Sequence, residues 1–387
     1  MDGRRRALLS VPFGYASLHC EQGTPIPLAN DLQLFNFRWQ SLFKFGWQWT
    51  IVKCKIMNYS HFIGIDVSKL TFDASILDPE ENELAHRKFK NNPSGIQEMI
   101  DWAKAFQADI SSTLFCAENM GCYVHQLSMA SLEMKFNLAL ACPLSIKKSL
   151  GIQRGKNDRI DARRIAEYAY VHQRQLKTFE LPEDALVKVR DMLNLRAVFV
   201  KYKVSVTKLI ETAEYHYTKE GESPYLSTLK AELEDTTAKI KHIEKEIYEI
   251  MSANVSVSAN YSLIQSIVGI GQINAATIIV MTENFTKFDS PRKFACYCGV
   301  APFEHTSGTS IRGKTRTSKL AAKDLKVLLT RAAITAMVHD PQIKAYYARK
   351  VAEGKHKASV INAIRAKIIY RCFAVVKRQT PFVKLMA

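Results

Sequence analysis

HFIGIDVSKLTFDASILD, His61–Asp78, alternates apolar and polar residues with the period of two that marks a β-strand. Asp78, Pro79 and Glu80 then supply turn chemistry, and LAHRKFKN, Leu84–Asn91, resumes the strand pattern. Downstream the period changes. NPSGIQEMIDWAKAF, Asn92–Phe106, has helical spacing, with Ser94 as the expected cap. STLFCAEN (112–119) reads as a buried strand, GCYVHQLSMASLEM (121–134) as a helix, and FNLALACP (136–143) as another buried strand. NDRIDARRIAEYAYVH (157–172) returns to helical period. Strands alternating with helices predict an α/β domain around a central sheet. Taken as one strand, His61–Asp78 places Asp66 and Asp73 on opposite faces, with Asp73 toward solvent.

The whole chain has 387 residues, enough for two or three cores, and 47% of them are hydrophobic, which excludes a disordered protein. Its net charge of +17 is concentrated. From Arg292 onward, twenty Lys and Arg face four Asp and Glu. Such an excess predicts a polyanionic partner, with nucleic acid first. The eight cysteines form no C-x-x-C pair and mostly lie in apolar runs, as expected of reduced, buried thiols in the cytoplasm. No apolar run reaches the ~20 residues needed to span a bilayer. MDGRRRALLSVPFGYA has a basic start but a short, proline-broken apolar stretch, unlike a signal peptide.

The first 56 residues differ from the rest, holding three of the four tryptophans, Trp39, Trp47 and Trp49, with little periodicity. They read as an atypical extension or a mis-called start, with the folded protein beginning at Met57. Residues 57–180 form the α/β domain, and 181–255 form a helical region broken at Gly221–Pro224. In its second half Leu226, Leu229, Leu233, Thr236, Ile240, Ile243, Ile247 and Ile250 step by three and four, a heptad seam. A hairpin within the chain and a coiled coil between protomers both satisfy that pattern. Residues 256–387 form a basic, mainly helical C-terminal part. Within it, LIQSIVGIGQINAATIIVMT (263–282) sets Gly269 and Gly271 between two apolar helical segments. This resembles a helix-hairpin-helix, whose turn offers backbone N–H groups to phosphate. An ordinary Gly-rich helical turn is the alternative.

Candidate chemistry lies in four acids. Asp66 sits on the first strand, Glu118 ends another, and Asp158 and Asp161 share one face at a helix start. Singly each has a plain structural reading, such as an N-cap for Asp158 or a macrodipole partner for Asp161. Clustered carboxylates repel one another unless a cation neutralises them, and Mg²⁺ is the hard ion suited to carboxylate oxygens and phosphate. In this order within one α/β domain, they favour an RNase H-like metal nuclease.

HTSGTSIRGKTRTSK, His305–Lys319, is nearly devoid of apolar residues and reads as a basic, hydroxyl-rich loop. Arg312, Lys314, Arg316 and Lys319 are candidate phosphate contacts, and Thr306, Ser307 and Ser310 are rival hydroxyls.

Five motifs together carry a family resemblance: IGIDVSK, AENMGCY, KNDRIDARRIAEY, IVGIGQINAATII and YCGVAPFEHTSGTSIRGKTRTSK. In order and spacing they resemble the DEDD transposases of insertion sequences of the 110 type, over Tyr59–Phe382. The chain departs from that pattern at Asn119–Met120 and in LAAKDLK after the serine loop. The resemblance implies a RuvC-like domain, a coiled-coil linker and a C-terminal transposase domain. It implies that Asp66, Glu118, Asp158 and Asp161 are catalytic metal ligands and that Ser307 is the nucleophile. It further implies Mg²⁺, donor and target DNA, a structured bridge RNA as guide, a phosphoserine intermediate, and a dimer or tetramer in which the two sites meet. Two other readings of the residues stand beside this one. They are a RuvC-like endonuclease or junction resolvase with no serine step, and a nucleic-acid-binding protein without catalysis.

Overall fold

A computed structural model describes residues 59–149, 151, 157–216, 224–307, 311–318 and 320–383. The expected N-terminal extension, 1–56, lies outside the described residues. The chain begins with three antiparallel strands, β1 (His61–Val67), β2 (Thr71–Leu77) and β3 (Glu83–Lys90). After α1 (Pro93–Lys104) come β4 (Thr113–Glu118), α2 (His125–Glu133), β5 (Asn137–Ala141), α3 (Pro143–Ser149) and α4 (Asp158–His172). The sheet order is β3-β2-β1-β4-β5, with β4 parallel to β1 and β5 parallel to β4. The expected α/β domain is present, with a mixed sheet.

His61–Asp78 is two strands, contrary to the single strand expected. Ser68 turns the chain, its backbone N–H and hydroxyl both donating to the Thr71 carbonyl at 2.9 and 2.6 Å. Both strands are largely buried on both faces, so the apolar run gives little sign of the turn between them. The second turn forms at Asp78 as expected, its carboxylate accepting from the backbone N–H of Glu80 and Asn82. The α1 cap is Asn92, which accepts from Gly95 N–H at 2.8 Å, and not Ser94. With Pro93 at the first helical position, the asparagine one residue earlier is the better-placed acceptor.

Helices cover both faces. On one, α1 and α2 bury Ile96, Met99, Ile100 and Leu127, with Val124 just before α2, against Ile63, Ile65, Phe72 and Phe115. On the other, α4 lays Ile165, Ala166, Tyr168 and Ala169 over Phe62, Leu77, Leu114 and Cys116. Each large apolar side chain so buried contributes about 1.5–3 kcal/mol.

Two long helices follow, α5 (Asp184–His216) and α6 (Pro224–Ala253). The heptad seam of α6 packs on α5 of the same chain. Toward the hairpin tip, Leu226, Leu229 and Leu233 meet Val206, Ile210 and Ala213. At its root, Ile243, Ile247 and Met251 join Leu186 and Val189 in the core of the C-terminal part. That part contains α7 (Val255–Gln265), α8 (Gln272–Thr282), α9 (Pro291–Tyr297), a hairpin of β6 (Pro302–Ser307) and β7 (Ile311–Thr317), α10 (Lys323–His339), α11 (Pro341–Ala352) and α12 (Lys357–Arg378). Among the described cysteines Cys116, Cys298 and Cys372 are buried, each pushed up to about 12 by burial. Cys122 and Cys142 are exposed instead, Cys122 in a short helical turn after β4 and Cys142 just past the end of β5. No helix among the described residues is long and apolar enough to cross a membrane.

Candidate catalytic site

Every acid of interest on the sheet lies on the face that α4 covers. Along β1, Phe62, Gly64 and Asp66 share that face, and along β4 Leu114, Cys116 and Glu118 do. Ile65 pairs with Ala117, so Glu118 ends β4 beside Asp66. Asp158 and Asp161 come from the first turn of α4, where Asn157 is the N-cap and accepts from Ile160 N–H at 2.7 Å. Asp158 is therefore inside the helix and free of the capping role.

Asp73 also belongs to this face. It is the direct antiparallel partner of Asp66 and only 6% exposed, so the expectation of a solvent-facing side chain is corrected. Because the chain reverses at Ser68–Leu70, residues seven apart in sequence become cross-strand neighbours. The Asp73 carboxylate is held by His86 Nε2 at 2.9 Å and Lys88 Nζ at 3.2 Å. Lys88 Nζ also reaches Asp158 at 3.4 Å, so one ammonium spans a sheet acid and a helix acid. Asp161 accepts from Arg164 at 2.9 Å.

Burial of Asp66, followed by repulsion from Asp161, Asp158, Glu118 and Asp73, pushes its carboxyl up to about 6. These acids thus surround Asp66 within electrostatic reach. Among the described residues, however, no three His, Cys, Asp or Glu side chains are gathered tightly enough to grip an ion together as they stand. The donors are all carboxylate oxygen and crowd one half-buried member, a set that fits a hard divalent cation.

The close approach of α4 has a sequence cause. A Cβ on Gly64 would collide with the Ala162 carbonyl and the Ala166 backbone nitrogen. Glycine in β1 facing alanines in α4 lets the helix carrying Asp158 and Asp161 rest directly on the strand carrying Asp66.

The basic run His305–Lys319, expected as a loop, is largely the β6–β7 hairpin. Thr306 pairs with Arg312 and Ser307 with Ile311, so Ser307 is the last residue of β6 at the hairpin tip. Alternating Thr, Arg and Lys residues suit an exposed two-stranded ribbon as well as a loop. Only the backbones of Ser307, Arg312 and Lys314 are described, and Lys319 lies outside the described residues. Arg316 is exposed, opposite Phe303. At the hairpin base, Lys326 Nζ donates to Thr317 Oγ1 at 3.3 Å. Of the two turn glycines, Gly269 has φ +97°, and a Cβ there would strike the Ala332 carbonyl of α10. Gly271 is exposed at the N-terminus of α8, with nothing near where a Cβ would be.

Two family models match the chain in the order these parts occur. Residues 63–213 match the DEDD transposase model of IS110-type elements, and 261–348 match the model described as Transposase IS116/IS110/IS902 family. The chain belongs to the IS110 transposase family. The DEDD match gives the sheet domain of this transposase an RNase H-like fold, a type that uses divalent metal ions, and makes DNA its partner. A pilin gene-inverting protein of Moraxella lacunata is 27% identical over 327 residues, 84% of this chain and 98% of the relative. A probable family 20 transposase of Pseudomonas aeruginosa is 24% identical over 276 residues, 65% and 77% of the two chains. The transposase for insertion sequence element IS1111A of Coxiella burnetii is 24% identical over 259 residues, 60% and 69%.

Of the transposase's acid face, sequence reasoning missed Gly64, His86 and Lys88 and turned Asp73 to solvent. The signal for Gly64 was visible, since a lone glycine inside a strand marks a close backbone approach. The other three required splitting His61–Asp78 at Ser68, after which Asp73 pairs with Asp66 and Lys88 with Asp73.

Proposed function

We propose that this transposase cuts and rejoins DNA strands with Asp66, Glu118, Asp158 and Asp161 as magnesium ligands and Ser307 as the attacking hydroxyl. The observation that carries the reading is Asp66, pushed up to about 6 by burial and four surrounding acids. Such a group gains most from a cation. Bound Mg²⁺ would polarise the scissile phosphate and offset charge on the attacking and leaving oxygens. Asp66 and Glu118 would hold it from adjacent strand ends, and Asp158 and Asp161 would contribute from the first turn of α4. The bond from Ser307 Oγ to phosphorus forms as the bond from phosphorus to the leaving deoxyribose oxygen breaks. The proton lost by the serine is balanced by one taken up on that oxygen. A hydroxyl of the new partner strand then reverses the step and frees Ser307. Arg312, Lys314, Arg316 and Lys319 neutralise the phosphate, and the turn of Gly269 and Gly271 grips the DNA backbone.

The names of the relatives, gene-inverting protein and transposase, support an activity that breaks and rejoins DNA. The C-terminal cationic excess fits binding of either DNA or RNA, and a structured bridge RNA that selects the target by pairing rests on the family resemblance alone. Leu195, Tyr202 and Leu209 are spaced by seven and exposed on α5, which supports a homo-oligomer joined through the helical hairpin. Incubation with a supercoiled plasmid carrying the element's ends, Mg²⁺ and the co-purified RNA tests the reading. Asp66→Asn should abolish strand cleavage, and cleavage by that variant at the wild-type rate would defeat it.

A further inference from the structure

Helices α11 and α12 line a cleft of about 650 Å³ that shares no residue with the acids or the serine. Its size is that of an ordinary small-ligand site, about 300–1,000 Å³. Its chemistry is uneven. Tyr346, Tyr370, Arg349, Lys367, Arg371 and Gln342 line it, and among the described residues no carboxylate does.

The cations have different duties. Arg371 is committed to the protein, donating to Asp340 at 2.6 Å while its guanidinium lies 4.4 Å over the Phe382 ring. Asp340 is 3% exposed and also caps α11, accepting from the backbone N–H of Gln342 and Ile343. That pair fixes the floor of the cleft. Lys367 and Arg349 are exposed and gather above one ring, with Nζ of Lys367 4.5 Å and Cζ of Arg349 5.8 Å from the Tyr346 centroid. Tyr346 thereby draws two exposed cations to one ring. The nearby acid Glu353 is taken up mainly by Lys350 at 2.6 Å, with Arg349 3.9 Å away. Tyr370 leaves 47% of its surface in solvent, on a helix whose opposite face is anchored by Ile364, Ile368 and Cys372. An exposed ring beside two cations, with no acid in the cleft, is matched by an anion that carries its own π-face. Phosphate alone would leave the ring unused, and a base stacked inside a duplex has no face to offer it.

We propose that this cleft holds one unpaired nucleotide of a nucleic-acid strand, its base stacked on Tyr370 and its phosphate on Lys367 and Arg349. The proposal rests on the reading of the chain as a nucleic-acid enzyme, but it needs neither the metal nor Ser307. It gives the transposase a place to hold a strand that has left its duplex, whether DNA freed by cleavage or a loop of a guide RNA.

Fluorescence anisotropy with oligothymidylate, oligouridylate and a duplex, each of about twelve nucleotides, tests it on the full chain. Tyr370→Ala and Lys367→Ala, both at exposed positions, should each weaken single-strand binding roughly tenfold and leave duplex binding within about twofold. Tyr370→Phe should restore binding, because the ring and not the hydroxyl is required. Lys367→Ala should also reduce the salt slope for the single strand by about 0.7. Cross-linking of a bromodeoxyuridine oligomer should map to the peptide containing Tyr370. The tighter of the two oligomers identifies the strand. Equal loss of duplex and single-strand affinity in Tyr370→Ala overturns the proposal, as does wild-type single-strand affinity in both alanine variants. A wild-type chain that binds none of the three probes defeats the nucleic-acid reading itself, which separates the two failures.

Discussion

Asp66 and Asp73 are direct partners across the antiparallel pair β1–β2, two carboxylates on one sheet face beneath α4. Like charges directly opposite destabilise a sheet. Here Asp73 is offset by His86 and Lys88, while Asp66 retains the repulsion of every acid around it. The sheet thus keeps one carboxylate neutralised and leaves the other poised for a cation.

The pH dependence of stability follows from the sign of that shift. Asp66 is raised to about 6 by burial first and neighbouring acids second, above its unfolded value of about 4. The folded chain therefore binds this proton more tightly, and the contribution is complete below about pH 4 and lost as pH rises through 6. Solvent screening of a half-buried group reduces the effect to the order of 1 kcal/mol. In chelator, Asp66→Asn should melt progressively higher than wild type as pH goes from 4 to 7. A melting difference that stays flat over this range would contradict the assignment.

Lys88 competes for Asp158. Its Nζ lies 3.4 Å from the Asp158 carboxylate, so an ion that uses that oxygen must displace it. Lys88→Ala should bind Mn²⁺ more tightly than wild type by calorimetry. Weaker binding would mean that the lysine positions the acid for the metal and does not oppose it.

Gly64 sets the height of α4. Gly64→Ala forces the helix backbone away and should cost about 1–3 kcal/mol in urea unfolding. Because Asp158 and Asp161 move with α4, metal affinity should fall with it. Unchanged stability and affinity would show that α4 yields freely.

The Asp340–Arg371 pair holds α11 to α12. Asp340→Ala removes a cap and leaves a largely buried guanidinium unpaired, costing about 3–5 kcal/mol. Asp340→Asn keeps the cap oxygen and should be milder, with the difference read by chemical denaturation.

The alternation of period two and helical spacing exposed the α/β domain, and the stepped leucines and isoleucines of α6 exposed the hairpin seam. Asp66, Glu118, Asp158 and Asp161 stood out as an ordered set within one α/β domain, because clustered carboxylates repel one another unless a cation neutralises them. What stayed hidden was pairing. Ser68 makes a turn with ordinary residues in a run apolar enough to pass for one strand, so Asp73 and Lys88 were assigned to no partner. The hairpin at His305–Lys319 was masked for a related reason, since a ribbon with no buried face carries no hydrophobic period. The seam of α6 fitted two partners equally until α5 was seen against it.

The central claim joins the acid face and the hairpin tip in one reaction, and covalent trapping tests it most directly. End-labelled donor DNA is incubated with the transposase, Mg²⁺ and the co-purified RNA, then denatured and resolved for protein-linked label. Wild type and Ser310→Ala should give a phosphoserine adduct, and Ser307→Ala and Asp66→Asn should give none. Strand cleavage that persists undiminished in Ser307→Ala would contradict the account.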